Sequence, residues 1–573
     1  MATTKQCRQC NQEFEITAED LEFYKKISPT FAGKTFEIPA PSLCYECRLQ
    51  RRLMRRNERA LYSGECALCH KKIISAYAPN SGITSYCNIC WYGDGWEPLD
   101  YGKEYDENRS FLEQFNELYR SVPQIALQND NGITSVNCEY CQDNALSKNC
   151  YLVSGCWHVE DSMYSHETDY SKNMIDCDMV THSEICYECT NSTNLYNCFY
   201  VENSENCHDC LMSYDLIGCN NCIECCSLRN KSDHIRNKPA TKEEIAQKRK
   251  EILNSRQSIR EAREEFDKWS LDFPRKFANI VKCDNCVGNT LRNCKNTYGF
   301  STYNAIDCRY FNNGDSPITC YDVFQSGKPE LCYEGITPDE SYLTHFTAWC
   351  WRCRNVLYSD NCISLQDSIG CTGFKRGQYC ILNKQYSKEE YEKIAAEIIE
   401  KLIADNEWGE YFPMSISPFG YNEAMSKDFF PLEKEAAVKL GAKWQDNDYI
   451  NFEGEAYEPK QTIGEYRHSE SEREKLLTGV LRCRTSGKPF KIMPQELAFY
   501  IEHGIPIPKQ RYDVRFEDRL ARRYFLKLFH RQCMCDQKDH GHEGHCKNEF
   551  ETTYAPDRPE KVYCEDCYQE SVI

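Results

Sequence analysis

Four cysteines, Cys156, Cys177, Cys198 and Cys219, stand 21 residues apart, and that spacing restricts the fold more than any other feature of the chain. Three places along, Cys138, Val159, Val180, Val201 and Cys222 keep the same step, and three further on so do Cys141, Ser162, Ser183, Ser204 and Cys225. Columns of small residues in register, with no helical periodicity, mark a β-solenoid in which coils of about 20 residues lie on one another. Its interior must be narrow, and thiols, hydroxyls and amides fit where a stripe of large apolar side chains would not. The region occurs twice. "GCNNCIECCSLRNK" closes the first half and "GCTGFKRGQYCILNK" the second, where the step of 21 survives only from Cys332 to Cys353 and from Cys350 to Cys371; a less regular second half is expected.

The 573 residues exceed what one ordinary core holds, so several domains are expected. The start, MATTKQCRQC, has no basic region followed by an apolar run, and no stretch approaches the roughly 18 apolar residues of a membrane span. A soluble, cytoplasmic protein is the expectation. In a reducing compartment its 39 cysteines read as metal ligands or small buried hydrophobes rather than as disulfides.

Both ends carry paired cysteine knuckles. Cys7 and Cys10 precede Cys44 and Cys47, and Cys66 and Cys69 precede Cys87 and Cys90; two such pairs bring four thiolates into the tetrahedron that Zn²⁺ prefers. The C-terminus repeats the plan, with "CRTSGKPFKIMPQELAFYIEH" answering "CRQCNQEFEITAEDLEFYKKI". In that register Cys7 falls on Cys483, Cys10 on Ser486, Cys44 on Arg511 and Cys47 on Val514, so this copy is expected to fold without metal. "TYAPDRPEKVYCEDCY" then echoes "AYAPNSGITSYCNICW" and supplies Cys564 and Cys567, with Cys533 and Cys535 as the upstream pair. Three structural zinc sites are therefore expected. His540, His542, His545 and Cys546 lie between the two halves of the last one, either as a solvated insert or as a replacement ligand or second ion site.

Arg48, Arg51, Arg52, Arg55 and Arg59 recur on one helical face, and the copy has Arg511, Arg515, Arg519, Arg522 and Arg523. A guanidinium stripe beside a zinc ribbon suits phosphate contacts, with Trp91, Tyr92 and Trp96 as platforms for bases or as caps of the second ribbon's core. The alternative is that these arginines pair with the chain's own carboxylates. The formal charge of −19 disfavours a protein simply coated with nucleic acid. From Cys138 to Ser232, 15 Asp and Glu against 4 Lys and Arg leave −11, so the first solenoid half cannot itself lie on phosphate. Within it, stacking of Cys186 and Cys189 on Cys207 and Cys210 would offer one further metal site, against a ladder of plain buried thiols. Capping boxes at Thr241 with Glu244 and at Ser387 with Glu390 start a helix after each half, the first carrying Ile245, Ile252, Ile259 and Phe266 and the second Tyr391, Ile394, Ile398 and Leu402.

Together, "CNQEFEITAEDLEFY", "CYECRLQRRLMRRNERALY", "YCNICW", "NCYLV", "NCFYV", "FFPLEKEAAVKLGAKW" and "TTYAPDRPEKVYCEDCY" resemble a family of long zinc-ribbon, cysteine-rich repeat proteins of candidate-phyla (Patescibacteria-type) bacteria. The resemblance covers nearly the whole chain. It implies the architecture and a bacterial cytoplasmic origin, and it supplies no activity and no functional residue.

Motifs of catalysis are absent from the sequence. "AGKT" at Ala32 lacks the first glycine of a phosphate loop and reads as a turn, and "HEGH" at His542 is one residue short of the two-histidine metalloprotease helix. The expected fold class is mainly β and multidomain: a central parallel β-solenoid (β-helix) in two halves, interspersed α-helices, and flanking N- and C-terminal zinc-ribbon modules. The boundaries are 1–62 and 63–125 for the two N-terminal ribbons, 130–232 for the first solenoid half, 240–272 for a helix and 280–384 for the second half. A helix and irregular linker at 387–478, a metal-free ribbon copy at 479–530 and a zinc ribbon at 531–573 follow. The leading functional expectation is a non-enzymatic zinc protein that grips ribosomal or single-stranded nucleic acid through its terminal modules. The alternative is a protein-interaction scaffold built on the acidic solenoid, and a carbohydrate-active β-helix enzyme ranks below both.

Overall fold

From Asn191 to Asp215 every third residue, nine in succession, has φ between 49° and 57°. Asn and Asp tolerate this left-handed conformation best among residues with a side chain, and they fill seven of the nine positions. The residue after each, from Ser192 through Leu195, Cys198, Val201, Ser204, Cys207, Cys210 and Ser213 to Leu216, is buried. The backbone thus advances in triplets, each with one inward residue.

Strands pair in parallel with a constant offset of 12, as in Cys186 with Cys198, Thr193 with Glu205 and Phe199 with Leu211. The axial repeat is therefore four triplets. The expected coil of about 20 residues is corrected by this register: a step of 21 is seven triplets, so Cys156, Cys177, Cys198 and Cys219 all face inward but from different sides of the repeat. The column that runs along the ladder is Cys186, Cys198, Cys210 and Cys222.

A hydrogen-bond requirement explains the small polar interior. The backbone N–H of an inward residue points at the inward side chain one repeat earlier. Ser183 Oγ accepts from Leu195 N at 2.9 Å, Ser192 Oγ from Ser204 N at 3.0 Å and Ser204 Oγ from Leu216 N at 3.0 Å; Cys156 Sγ accepts from Thr168 N at 3.2 Å. Each hydroxyl or thiol in turn donates to a carbonyl, Ser204 to Glu202 O at 2.9 Å and Cys189 to Cys198 O at 3.1 Å. Buried backbone groups are thereby satisfied across repeats. Outside, amide ladders do the same work: Asn194 donates to Asn206 at 3.0 Å and Asn197 to Asp209 at 2.6 Å.

The second region opens on an offset of 11, Ile280 with Leu291 and Val287 with Tyr298, and returns to 12 at Tyr342 with Arg354 and Ala348 with Asp360. Gly288, at φ 143°, marks the shortened triplet, where a Cβ would lie 1.8 Å from the Gly299 carbonyl oxygen. This irregularity accords with the fading of the sequence repeat there.

The computed structural model describes residues 3–312, 314, 321–323, 327–447, 452–523 and 526–572. The expected second solenoid half and the linker at 387–478 lie partly outside these residues. The protein is multi-domain, with more strand than helix. Its ends share one element order. Hairpin Thr3–Gln6 with Glu13–Ile16, helices Ala18–Lys26 and Tyr45–Leu53, hairpin Tyr62–Glu65 with Lys72–Ser75 and helix Asn88–Tyr92 match a second set. That set is Leu481–Arg482 with Pro489–Phe490, Pro494–His503, Tyr512–Leu520, Phe529–Gln532 with Glu549–Thr552 and Glu565–Ser571. "AGKT" is the turn of the hairpin Thr30–Phe31 with Lys34–Thr35. The single helix expected over 240–272 is two, Lys242–Ile252 and Arg256–Ser270, because Ser255 caps a new start. Both capping boxes are formed. Among the described residues no helix is long and apolar enough to cross a membrane.

Ser204→Ala removes the acceptor for the buried Leu216 N–H and is expected to cost about 1–3 kcal/mol, read as a lowered urea midpoint. Ser204→Cys keeps an acceptor in place and should cost less.

Candidate metal centres and the arginine helices

Each cysteine cluster is built from a hairpin turn and a helix start. Cys7 and Cys10 lie in the turn of the first hairpin, while Cys44 caps the helix Tyr45–Leu53 and Cys47 sits in its first turn. The helix N-terminus favours thiolate at both positions. The four sulfurs lie within 4.8 Å of one another, as do those of Cys66, Cys69, Cys87 and Cys90. In a tetrahedron with bonds of about 2.3 Å the ligands stand about 3.8 Å apart; Cys10 and Cys44 are 3.7 Å apart and Cys69 and Cys87 3.8 Å. Backbone N–H groups add to the thiolate preference, Cys44 N to Cys7 Sγ and Cys87 N to Cys66 Sγ, both at 3.3 Å. A hydrogen bond from Cys47 brings the Cys44 thiol down to about 4. Burial opposes ionisation of Cys66, yet backbone donors at Cys69 and Cys87 hold it at about 6.

The C-terminal tetrad departs from the expected set. Cys533, Cys546, Cys564 and Cys567 come together, with Cys546 and Cys564 sulfurs 4.0 Å apart. Cys535 is left out of this group and lies with His542 and Cys567 in a second one. The signal was present in the sequence: aligned on Tyr-Ala-Pro, "CHKKIISAYAP" and "CKNEFETTYAP" place Cys546 on Cys69. In the degenerate module Cys483 still accepts from Arg511 N at 3.3 Å, but Ser486, Arg511 and Val514 occupy the other slots, and no metal-ligand cluster forms there among the described residues.

The quartet Cys186, Cys189, Cys207 and Cys210 is not gathered. With an offset of 12, Cys186 stacks on Cys198 rather than on Cys207, and these thiols donate to carbonyls, Cys207 to Leu216 O and Cys198 to Cys207 O, both at 3.5 Å. No disulfide joins two of the described cysteines. His545 instead pairs with Asp536 at 2.7 Å on the surface.

The arginines face inward, which corrects the expectation of a phosphate-binding stripe. Arg48 is 2% exposed and grips Asp322 at 2.5 and 3.1 Å. Arg51 joins Glu334 and Glu410, both at 2.7 Å, Arg52 lies between Asp322 and Glu334, and Arg55 holds Asp360. Arg59 pairs with Asp428 and packs 3.8 Å over the Phe516 ring. In the copy, Arg515 and Arg519 each reach Asp176 at 2.9 Å, Arg522 reaches Glu202 and Asp267, Arg523 reaches Asp178, and Arg511 lies beside Asp513. A guanidinium already paired and desolvated in this way is not free for phosphate. Trp91 and Trp96 are buried, their indole N–H groups donating to Pro123 O and Trp91 O; they cap the ribbon core.

Sequence reasoning missed the carboxylates that receive these arginines, and missed Arg56, Glu58 and His166. Arg56 holds Glu58 and Asp143, and His166 lies 3.0 Å from Glu58 and 3.2 Å from Asp178. This buried knot joins the segment after the helix Tyr45–Leu53, the ladder and, through Arg523, the segment after the helix Tyr512–Leu520. Burial alone would lower the His166 pKa, but Glu167, Glu58 and Asp178 raise it to about 9. Burial likewise opposes ionisation of Asp178, yet Arg523 and His166 hold it at about 2. A scan against protein-family models finds no match to this chain, and a search of curated proteins finds no similar one.

Two outcomes follow from this geometry. Cys44→Ser is expected to remove one equivalent of bound metal and Cys483→Ser none, measured by elemental analysis of the purified chain. Because the folded pKa of His166 lies above its ordinary value of 6.5, its contribution is whole below pH 6.5 and disappears as pH rises through 9. His166→Gln should lower the thermal midpoint at pH 6 and remove that part of the decline between pH 6.5 and 9, worth at most about 3 kcal/mol.

Proposed function

We propose that the chain is a non-enzymatic, zinc-braced scaffold whose two repeat regions wind as parallel β-solenoid halves and whose terminal modules serve as clasps. Zinc suits closed sites of four thiolates with no open position, the form structural sites take. The resemblance to candidate-phyla bacterial proteins and the lack of a disulfide between described cysteines fit a reducing bacterial cytoplasm. The burial of the arginine helices withdraws the feature that favoured nucleic acid, so a protein partner becomes the better reading.

The observation that carries it is an open groove of about 750 Å³ along the first ladder. One wall is the column His158, Tyr170 and His182, whose rings stack at 4.8 and 5.2 Å. The other carries Glu160, Lys172, Glu184, Tyr196 and His208. The stacked rings cover each other's faces and turn their edges outward, which does not suit base stacking, and exposed carboxylates repel phosphate. An extended peptide segment bearing Lys or Arg fits this wall of Glu160 and Glu184, and aromatic side chains with polar tips are common at such contacts.

Fluorescence anisotropy with labelled Lys-rich and Glu-rich peptides, single-stranded RNA and single-stranded DNA tests the reading. Binding of the Lys-rich peptide, weakened at least tenfold by Tyr170→Ser with Glu184→Gln, is expected, and no binding of either nucleic acid. Nucleic-acid binding that falls as salt rises, or peptide binding indifferent to the groove variant, would contradict it.

A further inference from the structure

The hairpin turn that carries the C-terminal tetrad is ten residues longer than its N-terminal counterpart. Glu65 pairs with Lys72 across residues 66–71, whereas Gln532 pairs with Glu549 across residues 533–548. Cys546 stands three places before Glu549, as Cys69 stands three before Lys72, so the tetrad is complete without anything in the insert. The insert nevertheless contains Cys535, a fully buried thiol, and three histidines.

We propose that this centre is dinuclear: a second divalent ion is held by Cys535, His542 and Cys567, with the Cys567 thiolate bridging it to the ion of the tetrad. The inference rests on the reading that the tetrad holds metal. Three observations converge on it. The donor atoms of Cys535, His542 and Cys567 lie within 4.8 Å of one another, and Cys567 belongs to both clusters. His542 Nδ1 is 2.9 Å from the Gly544 carbonyl; a neutral ring there donates its N–H to that oxygen and leaves Nε2 with a lone pair. That Nε2 is buried and has no hydrogen-bond partner. A ring fixed by a carbonyl at one nitrogen and unpartnered at the other is how metal-ligating histidines are held.

A buried acceptor without a donor is costly unless something occupies it, and a cation between an imidazole and two thiolates does so. The donor set, two sulfurs and one nitrogen, selects a borderline-soft divalent ion such as Zn²⁺ over Mg²⁺ or Ca²⁺. The fourth position falls to water or to His540, whose Nδ1 is 3.2 Å from Cys535 Sγ. The same centre in the N-terminal copy has no such insert and remains mononuclear.

Native mass spectrometry of the full chain, saturated with Zn²⁺ and desalted, counts the ions. Four zinc ions are expected in the wild-type chain and three in His542→Ala and in Cys535→Ser, with far-ultraviolet circular dichroism unchanged. In the chain loaded with ¹¹³Cd²⁺, two resonances should show mutual coupling through the shared thiolate, and His542→Ala should abolish the coupling. Three zinc ions in the wild-type chain, or four retained in His542→Ala, would overturn the dinuclear centre while leaving the tetrads intact. No bound zinc at all would overturn the tetrad reading with it. Should both variants fail to fold, the wild-type count and coupling decide alone.

Discussion

Buried guanidinium–carboxylate contacts between the terminal modules and the triplet ladders hold this protein together. Asp322 and Glu334 occupy left-handed positions 12 residues apart on the second ladder, and Asp176 and Glu188 do the same on the first. A carboxylate at such a position is carried on the outside of the ladder and is costly to cover without a counter-ion. The arginines of the terminal modules cover Asp322, Glu334 and Asp176 and supply the charge, and Arg263 of the helix Arg256–Ser270 does so for Glu188. Much of the negative charge of the first region is thereby neutralised within the fold, which is why a repeat with a net charge of −11 can be packed against at all.

The two terminal modules are related by more than composition. Tyr45 stacks on Tyr310 and Tyr512 on Tyr164; Tyr24 meets Tyr333 edge-on and Tyr500 meets Tyr187. Arg48 takes Asp322 where Arg515 takes Asp176. Equivalent residues of the two modules thus touch equivalent residues of the two ladders, the N-terminal module on the second and the C-terminal module on the first. The degenerate module has Ser486, Arg511 and Val514 where the N-terminal one has cysteines, yet it has the same hairpin and helices, and Arg515 and Arg519 tie it to the ladder.

Much of this was legible in the sequence. Ribbon spacing located two cysteine tetrads in full, the decayed copy was aligned correctly at Cys483, and both capping boxes fell where expected. The period was misread for a physical reason. Inward residues recur every third position, where Cys and Ser accept an N–H and Val and Leu fill space, so several residue types interchange and any multiple of three produces a convincing column. The offset of 12 is fixed by backbone pairing, and its mark on side-chain identity, the column Cys186, Cys198, Cys210 and Cys222, stands among other columns at multiples of three. The arginine partners were illegible because Arg48 and Asp322, or Arg519 and Asp176, are distant in sequence and meet only through the fold. Cys546 was hidden by the insert that separates it from Cys533, although the flanking Tyr-Ala-Pro pointed to it.

The proposed function rests on where charge and aromatic groups remain exposed beside the terminal modules. The outer column His158, Tyr170 and His182 of the first ladder stays on the surface with Glu160 and Glu184 beside it. The central claim, that the arginines are internal counter-ions, is tested most directly by a double-mutant cycle in urea unfolding on Arg48 and Asp322. Arg48→Met or Asp322→Leu alone should each cost about 3–5 kcal/mol by stranding a buried charge, and the double variant should recover most of that loss. An Arg48→Met variant as stable as the original chain, or losses that simply add, would contradict it.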